Sequence, residues 1–508
     1  MELLDVPVPL MLTKIFRYID ISKETFINNL KEVVAIPSIS CDMKHRGDVM
    51  KMLRWIEKAL KNVGAKTELC ETVTQNYEKG KTISQPPTLL AITGNDSKKK
   101  NLCVYGHIDV KNAQIEDGWV SDPFIMVQRN GKLCGRGTTD DKGPILCWIH
   151  VLEAFLKMKV PVPINIKFVI EGMHEVGSQG LNKLIVSKRN TFFSGIDYCC
   201  ITDGYWLGTM KPCLTYGLRG LCYFTVEVIG GKKILDSGFF GGAVYEPLQD
   251  LIFMLNSLVD LNGDIDIPGL DKDIAPMTPT EESLYKHIDV DTEEIRRVLG
   301  VPKVKHEDCR IDHLMSRWRR PSLSVHGIEK VPSDPGVHTI IPNRAIGKFS
   351  IRIVPDQKPE RVKEFVTTYL ERLFEVRRSP NRMKVKSFSF RSPHPNSYLG
   401  YSQIQSNKVE MIVSAPAWVG DPTCSDNFKA AQKAVCIAYK MKPDLIREGG
   451  TVPIAARLHQ VTGSSVLLMP IGAADDGAHG NDEKLNIGNY IGSHKMVAAY
   501  LYELGIKK

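Results

Sequence analysis

Hydrophobic and polar positions follow two different rhythms along this chain. Short apolar runs rich in β-branched residues alternate with longer segments in which apolar residues recur at helical spacing. This alternation is typical of a parallel β-sheet with helices on its faces, and it predicts an α/β fold. Four apolar runs carry the prediction: residues 101–105, 165–170, 197–201 and 465–470.

Polar residues that can bind metals follow each of these four runs. They occupy positions 106–109, 171–175, 202–203 and 472–479. In open α/β sheets, ligands bind at the edge formed by the carboxyl ends of the strands. The pattern therefore predicts one functional site built from four strand ends.

The stretch between the third and fourth runs has a different texture, with alternating strand-like segments and amphipathic helical segments. The strands are expected near 222–229 and 347–354, and the helices near 247–260 and 360–374. We interpret this stretch as an α+β domain inserted into the first one.

Turn-forming sequences mark the ends of the insertion. TYGLRG occupies 215–220, and a passage rich in Ser, Pro and Asn lies at 392–396. We therefore predict a first part of the catalytic domain at 1–213, an inserted lid and dimerisation domain at 214–410, and a second catalytic part at 411–508.

Composition and charge narrow the class of protein. A chain of 508 residues is long for a single core and agrees with two domains. Hydrophobic residues make up 43% and charged residues 24%, which is ordinary for a globular protein. The formal charge of +8 is mild for this length, and the lysine run at 98–100 lies in a polar turn. Nucleic acid is therefore not predicted as a partner.

The N-terminal segment and the cysteines indicate in which compartment of the cell the protein is expected. The segment MELLDVPVPLML contains Glu2 and Asp5 and lacks a basic leader and a small-residue cleavage site. No stretch approaches the roughly 18 to 20 apolar residues that a spanning helix needs. Several of the twelve cysteines lie in apolar runs, as reduced core residues do. We predict a cytoplasmic protein with no membrane partner.

The sequence GHID places His107 and Asp109 two residues apart. On an extended backbone both side chains point the same way, so one can bind a metal while the other holds the imidazole's second nitrogen. The next polar segment, GRGTTDDKGP, contains the adjacent carboxylates Asp140 and Asp141 before a helical pattern at 141–157. For that segment alone, a simple helix N-cap remains an alternative.

Glu175, Asp203 and His479 follow the other strand ends. With His107 and Asp140 they make three carboxylates and two imidazoles. Three carboxylates and one bridging hydroxide balance the charge of two divalent cations. A pair of metals about 3.5 to 4 Å apart lowers the pKa of a water and polarises a carbonyl. The set therefore predicts a two-metal site.

Seven motifs spread along the chain strengthen this prediction: YGHIDV, DGWVSDPF, CGRGTTDDKGP, ITDGYWLG, TYGLRG, REGGTVP and GAADDGAHG. With them, the chain resembles the M20 metallopeptidase family, and in particular its branch of cytosolic non-specific and carnosine dipeptidases. The resemblance implies an M20-type catalytic domain with an inserted α+β lid that also forms a homodimer. It further implies hydrolysis of dipeptides by a metal-bridged hydroxide.

The resemblance also implies roles for the metal-binding residues. His107 and Asp203 would hold one cation. Glu175 and His479 would hold the other, with Asp140 bridging the two. Family members use zinc or manganese, two ions per subunit.

Further roles are implied for neighbouring residues. Asp109 would be an orienting carboxylate, and a cis peptide would follow Asp140. Substrate-binding roles are implied for two lid residues and two residues around REGGTVP: Thr339, Arg352, Arg447 and Thr451. The planar fork of an arginine suits the free carboxylate of a dipeptide.

The chain departs from the family pattern at EGMHEVGSQG, where two consecutive glutamates are usual and His174 precedes Glu175. The metal ligand is retained, but the general base is replaced by an imidazole. An imidazole that takes up a proton becomes a cation beside two dications, which the field opposes. We predict that His174 stays neutral and is a poor base, and such a loss typically costs about 10²- to 10⁴-fold.

A second departure lies in the lid sequence LDSGFFGG, where Asp236 stands in place of a histidine that donates to the scissile carbonyl. Losing one such donor costs about 10²- to 10³-fold. Two alternatives remain: the match is shifted by one residue, or His174 and Asp236 have exchanged roles.

Three functions are therefore open. The chain could be a working two-metal dipeptidase with altered preference, or a paralogue with an intact metal site and impaired catalysis that binds small peptides. It could also be a partner that dimerises with an active homologue. The two substitutions favour impaired catalysis.

Overall fold

The structure is a computed structural model, and it describes residues 4–71, 74–76, 82–288, 290–333, 335–388 and 413–506. The helices in these ranges are α1 Leu10–Ile21, α2 Lys23–Val34, α3 Arg46–Asn62, α4 Lys142–Lys157, α5 Leu181–Ser187, α6 Ser237–Phe240, α7 Pro247–Asn256, α8 Pro279–His287, α9 Thr292–Leu299, α10 Arg310–Trp318, α11 Pro359–Arg377, α12 Asp426–Tyr439, α13 Pro453–Thr462 and α14 Ile487–Gly505. None of them is long and apolar enough to cross a membrane.

The strands in the same ranges are β1 Lys66–Cys70, β2 Thr74–Asn76, β3 Thr82–Ser84, β4 Thr88–Thr93, β5 Asn101–His107, β6 Val127–Arg129, β7 Lys132–Cys134, β8 Asn165–Glu171, β9 Tyr198–Ile201, β10 Cys213–Leu218, β11 Gly220–Ile229, β12 Leu235–Asp236, β13 Ser322–Glu329, β14 Ile340–Ile341, β15 Arg344–Ile353, β16 Arg382–Phe388, β17 Val413–Ala415, β18 Trp418–Val419, β19 Asp444–Glu448, β20 Ser465–Leu468 and β21 Lys484–Asn486.

The larger sheet has the order β1-β4-β8-β5-β9-β20-β10-β18, with β19 paired to β10. Its central strands β8, β5, β9 and β20 run parallel to one another. They are the four apolar runs, so the predicted parallel sheet is confirmed. Antiparallel pairs occur toward both edges, where β4 pairs with β8 and β10 with β20.

Alternate residues of β5 face two different cores. Leu102 and Val104 pack with residues of α1 to α4, α12 and α14. Cys103 and Tyr105 pack on the opposite face with residues of α5 and α13. Because helices cover both faces, the central strands are apolar at nearly every position.

The second sheet is antiparallel, in the order β13-β15-β11-β16 with β17 beside β11. One face is covered by α7 and α11, which contribute Leu251, Met254, Val362 and Val366 to its core. The α+β character expected for the insertion is confirmed.

The chain crosses between the two sheets at Arg219, because β10 lies in the larger sheet and β11 in the second. This crossing lies a few residues beyond the predicted limit at 213. The passage at 392–396 and the predicted limit at 410 lie outside the described residues. The domain limits therefore stay a prediction.

Candidate metal centre

Parallel strands bring polar side chains to one edge of the larger sheet. β5 ends at His107, and Asp109 follows two residues later. β8 leads into a short 3₁₀ turn, His174–Val176, and Asp203 lies two residues beyond the end of β9. These segments meet because the carboxyl ends of parallel strands share one edge.

Asp140 lies between two imidazoles. Its Oδ1 atom is 3.1 Å from Nε2 of His107, and its Oδ2 atom is 2.9 Å from Nε2 of His479. The peptide that joins it to Asp141 is cis. A carboxylate with one oxygen toward each imidazole has the arrangement expected of a bridging ligand.

Six side chains at this edge form two groups, and in each group one possible ligand atom per residue lies within 4.8 Å of the others. The nitrogen-rich group is His107, His174 and Asp203. The oxygen-rich group is Asp140, Glu175 and His479. The five predicted ligands are thus brought together, and His174 joins them.

The pKa values of these groups fit a cation site. Burial raises the pKa of Asp140, but hydrogen bonds to His107 and His479 hold it well below its usual range. Hydrogen bonds to Asp140 and Glu175 raise the pKa of His479 to about 10. Burial and the nearby Asp140 raise the pKa of Asp203. A divalent cation would offset this negative charge, and zinc and manganese both accept carboxylate and imidazole donors.

Asp109 is fully buried and holds the turn that carries two of the candidate ligands. Its carboxylate accepts the backbone N–H groups of His174, at 3.1 Å, and Glu175, at 2.9 Å. Nδ1 of His107 lies 3.1 Å from the Asp109 backbone oxygen and 3.5 Å from its Oδ1 atom. The Asp109 carboxylate therefore holds the 174–175 turn, and its backbone oxygen is the nearer partner of the His107 imidazole.

Glu483 supports the Asp140 turn from the distant C-terminal segment, and sequence reasoning missed it. Its Oε1 atom accepts the backbone N–H groups of Gly137, Thr139 and Asp140. Its Oε2 atom accepts from the guanidinium of Arg136 at 2.8 Å. Glu483 stands outside the motifs, in the polar run of residues 481–484, so the local sequence does not distinguish it from its neighbours.

The lid residues Asp236 and Thr339 bond to each other. Oδ1 of Asp236 accepts the N–H groups of Gly238 and Phe239 at the start of α6. Its Oδ2 atom accepts from the Thr339 hydroxyl at 3.1 Å. The carboxylate therefore caps α6 and also bonds to the segment before β14.

The structure separates the two arginines predicted to bind substrate. Arg352 donates to the Thr451 hydroxyl at 2.7 Å, which links the second sheet to the segment after β19. Arg447 is buried, pairs with Glu281 at 2.6 Å and lies over the ring of Tyr216. Arg352 and Thr451 thus form one polar group, whereas Arg447 belongs to another.

A model of peptidase family M20/M25/M40 matches residues 103–503, so the chain belongs to this family. It is 41% identical over 496 residues to the Beta-Ala-His dipeptidase of Mus musculus, covering 97% of this chain and 96% of that protein. It is 40% identical over 494 residues to the Cys-Gly metallodipeptidase DUG1 of Saccharomyces cerevisiae, covering 96% and 97%. The crystal structure of human carnosine dipeptidase 1 superposes with a TM-score of 0.86 at 39% identity, covering 98% of this chain and all of that one.

Proposed function

We propose that this protein is a two-metal dipeptidase whose hydrolytic rate is reduced by its own substitutions. The observation that carries the proposal is Asp140, which reaches both ligand groups with separate oxygens. The M20 membership and the dipeptidase names of the full-length relatives support the reaction class. The proposed cofactors are two divalent cations per subunit, zinc or manganese.

The residues at this edge of the larger sheet would have different roles. A pair of bound cations supplies a polarised substrate carbonyl and a water of lowered pKa. His107 and Asp203 would hold one cation, Glu175 and His479 would hold the other, and Asp140 would join the two. Asp109 fixes the turn of His174 and Glu175 through their backbone N–H groups.

The reduced rate follows from the residue at position 174. A carboxylate there could take a proton from the attacking water and become neutral, whereas His174 would become a cation beside other cations. Asp236 adds a second handicap, because an ionised carboxylate repels the negative charge that builds on the scissile carbonyl.

Substrate binding is assigned to the polar group of Arg352 and Thr451. A guanidinium binds a free carboxylate with two parallel hydrogen bonds. Arg447 is less suited to this role because it is buried and already pairs with Glu281, which also pairs with Arg319. Thr339 lies with Asp236 on the lid and would contact substrate from that side.

A homodimer through the inserted domain completes the proposal. β13 is an edge strand of the second sheet and exposes the apolar side chains of Val325 and Ile328. An unpaired edge strand is a ready template for another copy of the same strand. A cytoplasmic location is part of the proposal, and the twelve free cysteines support a reducing compartment.

The substitutions at 174 and 236 also favour an alternative, a non-catalytic paralogue. Such a protein would bind small peptides through its metals or pair with an active homologue. Mixed dimers on co-expression with an active homologue would support this second function.

The test compares hydrolysis of Cys-Gly and β-Ala-His dipeptides by the wild-type protein, His174→Glu, Asp236→His and the double variant, each loaded with zinc or manganese. We expect slow, metal-dependent hydrolysis by the wild type and a gain of about 10²-fold or more in the double variant. Asp140→Asn serves as the inactive control. A double variant as inactive as Asp140→Asn would overturn the proposed dipeptidase.

A further inference from the structure

The tautomer of His174 is set by a short hydrogen-bonded chain. The Tyr105 hydroxyl donates to Oε1 of Glu171, and Nδ1 of His174 lies 2.9 Å from the same hydroxyl. Oε1 of Glu171 also accepts from the Ser178 hydroxyl, so this oxygen acts as an acceptor.

A phenol has one proton to donate, and Tyr105 gives it to Glu171. Its oxygen must then accept the Nδ1–H of His174. The neutral imidazole therefore carries its proton on Nδ1 and its lone pair on Nε2. A ring nitrogen with a free lone pair can bind a metal.

The Nε2 atom of His174 lies beside the nitrogen-rich group. It is 3.9 Å from Oδ2 of Asp203, which is too far for a hydrogen bond. Two ligand atoms of one tetrahedral zinc ion lie roughly 3.3 Å apart, so a small adjustment would let one ion contact both. The imidazole stacks on that of His107, with ring centroids 4.1 Å apart and planes 15° apart, so one of the two rings has to tilt before both Nε2 lone pairs can point at the same ion.

We infer that His174 is a third protein ligand of the cation held by His107 and Asp203. The substitution thus changes the metal site as well as removing a base, and this inference rests on the two-metal centre proposed above. The nitrogen-rich group then supplies two imidazoles and one carboxylate, whereas the oxygen-rich group supplies two carboxylates and one imidazole. Because imidazole suits zinc better than manganese, the first position should prefer zinc.

The test measures metal binding and needs no substrate. Metal-free wild-type protein, His174→Gln and the matched control His326→Gln are titrated with zinc and, separately, manganese against a competing chelator. His326 is a lid histidine that bonds to Ser350 and stacks on Tyr223. We expect His174→Gln to weaken the tightest zinc site by at least about tenfold and to weaken manganese binding less, with no change in His326→Gln.

X-ray absorption at the zinc edge gives a direct readout. Protein loaded with one zinc per subunit should show two imidazole ligands in the wild type and one in His174→Gln. Tyr105→Phe provides a second variant, since it removes the partner of Nδ1 and should lower zinc affinity by a smaller factor. Equal zinc affinity in wild type and His174→Gln, or a single imidazole in the wild-type spectrum, would overturn the inference. A protein with no dipeptidase activity but two imidazoles on zinc would uphold it and reject the proposed reaction alone.

Discussion

The metal-binding edge of the larger sheet is held by buried contacts, whereas the lid pair of Asp236 and Thr339 is held by exposed ones. Buried contacts from distant parts of the chain fix the edge: Glu483 bonds to the Asp140 turn, and Asp109 bonds to the 174–175 turn. The lid carboxylate bonds to the next few backbone N–H groups and to one exposed hydroxyl.

This difference shows what each substitution can change. His174 lies inside a connected network that includes Tyr105 and His107, so a change there can alter which metal is bound. Asp236 lies in the exposed lid pair, so a change there can alter the approach of substrate without disturbing the metals. Variants in the two regions should therefore separate metal binding from turnover.

The largest effect is expected for Asp140→Asn. The neutral amide cannot supply the negative charge with which Asp140 would bridge the two cations. Bound metal should therefore fall below two ions per subunit. Any hydrolysis should fall by at least about 10³-fold, which corresponds to several kcal/mol of electrostatic stabilisation. Metal analysis and kinetics of the purified variant check this. Full metal content in Asp140→Asn would remove its bridging role.

A smaller effect, on the stability of the whole protein, is expected for Glu483→Gln. In the variant, an amide N–H₂ group replaces the oxygen that accepts from the Arg136 guanidinium, so two donors would face each other and Arg136 would stay buried without this acceptor. We expect the free energy of unfolding to fall by about 3 kcal/mol.

Chemical denaturation measures this change, and Glu293→Gln is the matched control. Glu293 pairs with Arg296 on the surface, so its loss should cost less than about 1 kcal/mol. Equal changes in the two variants would show that Glu483 does not support the edge as described.

The strand ends could be predicted from sequence because the signal is local. Each apolar run is followed within a few residues by a metal-capable side chain, and parallel strands place these positions at one edge. The two sheets were predictable for the same reason, since the alternation changes in the middle of the chain. Asp140 needed the family motif, because an adjacent acid pair before a helix is equally typical of an N-cap.

The remaining features depend on contacts between distant segments. Arg447 pairs with Glu281 of α8, a contact that the sequence does not indicate, and its role in substrate binding stays a prediction. Lys142 begins α4, and its buried ammonium donates to the backbone oxygens of Val33 and Ile36, more than 100 residues away. The orientation of His174 depends on Tyr105, 69 residues away. No local pattern carries such information.

The third prediction concerns acid stability behind the Asp140 turn, where α4 and α14 pack together. Nδ1 of His150 lies 3.0 Å from Nε2 of His494, and both rings stack with Phe26. The amide of Asn29 and the backbone oxygen of Tyr490 occupy the outer ring nitrogens. Burial lowers the pKa of His494 to about 4 and that of His150 well below its usual range.

Both imidazoles are neutral in the folded protein, but in the unfolded chain each has a pKa of about 6.5. The unfolded chain therefore binds more protons between pH 6.5 and 4, and the free energy of unfolding falls as pH falls through this window. His494 alone should account for about 3 kcal/mol by pH 4. Denaturation at several pH values should show that the free energy of unfolding depends less steeply on pH in His494→Gln than in the wild type. In His326→Gln the dependence should equal that of the wild type. An unchanged slope in His494→Gln would refute the assignment.

The smallest effect is expected for Asp236→Ala, which directly tests the role of the lid pair. Loss of the N-cap should lower the free energy of unfolding by about 1 kcal/mol, as should Asp291→Ala at the start of α9. Asp236→Ala should leave metal content unchanged and raise hydrolysis a few fold, because it removes an anion from the lid. Asp291→Ala should leave hydrolysis unchanged. If Asp236→Ala instead released metal, the lid pair would also support the metal-binding edge, and the contrast between the two regions would fail.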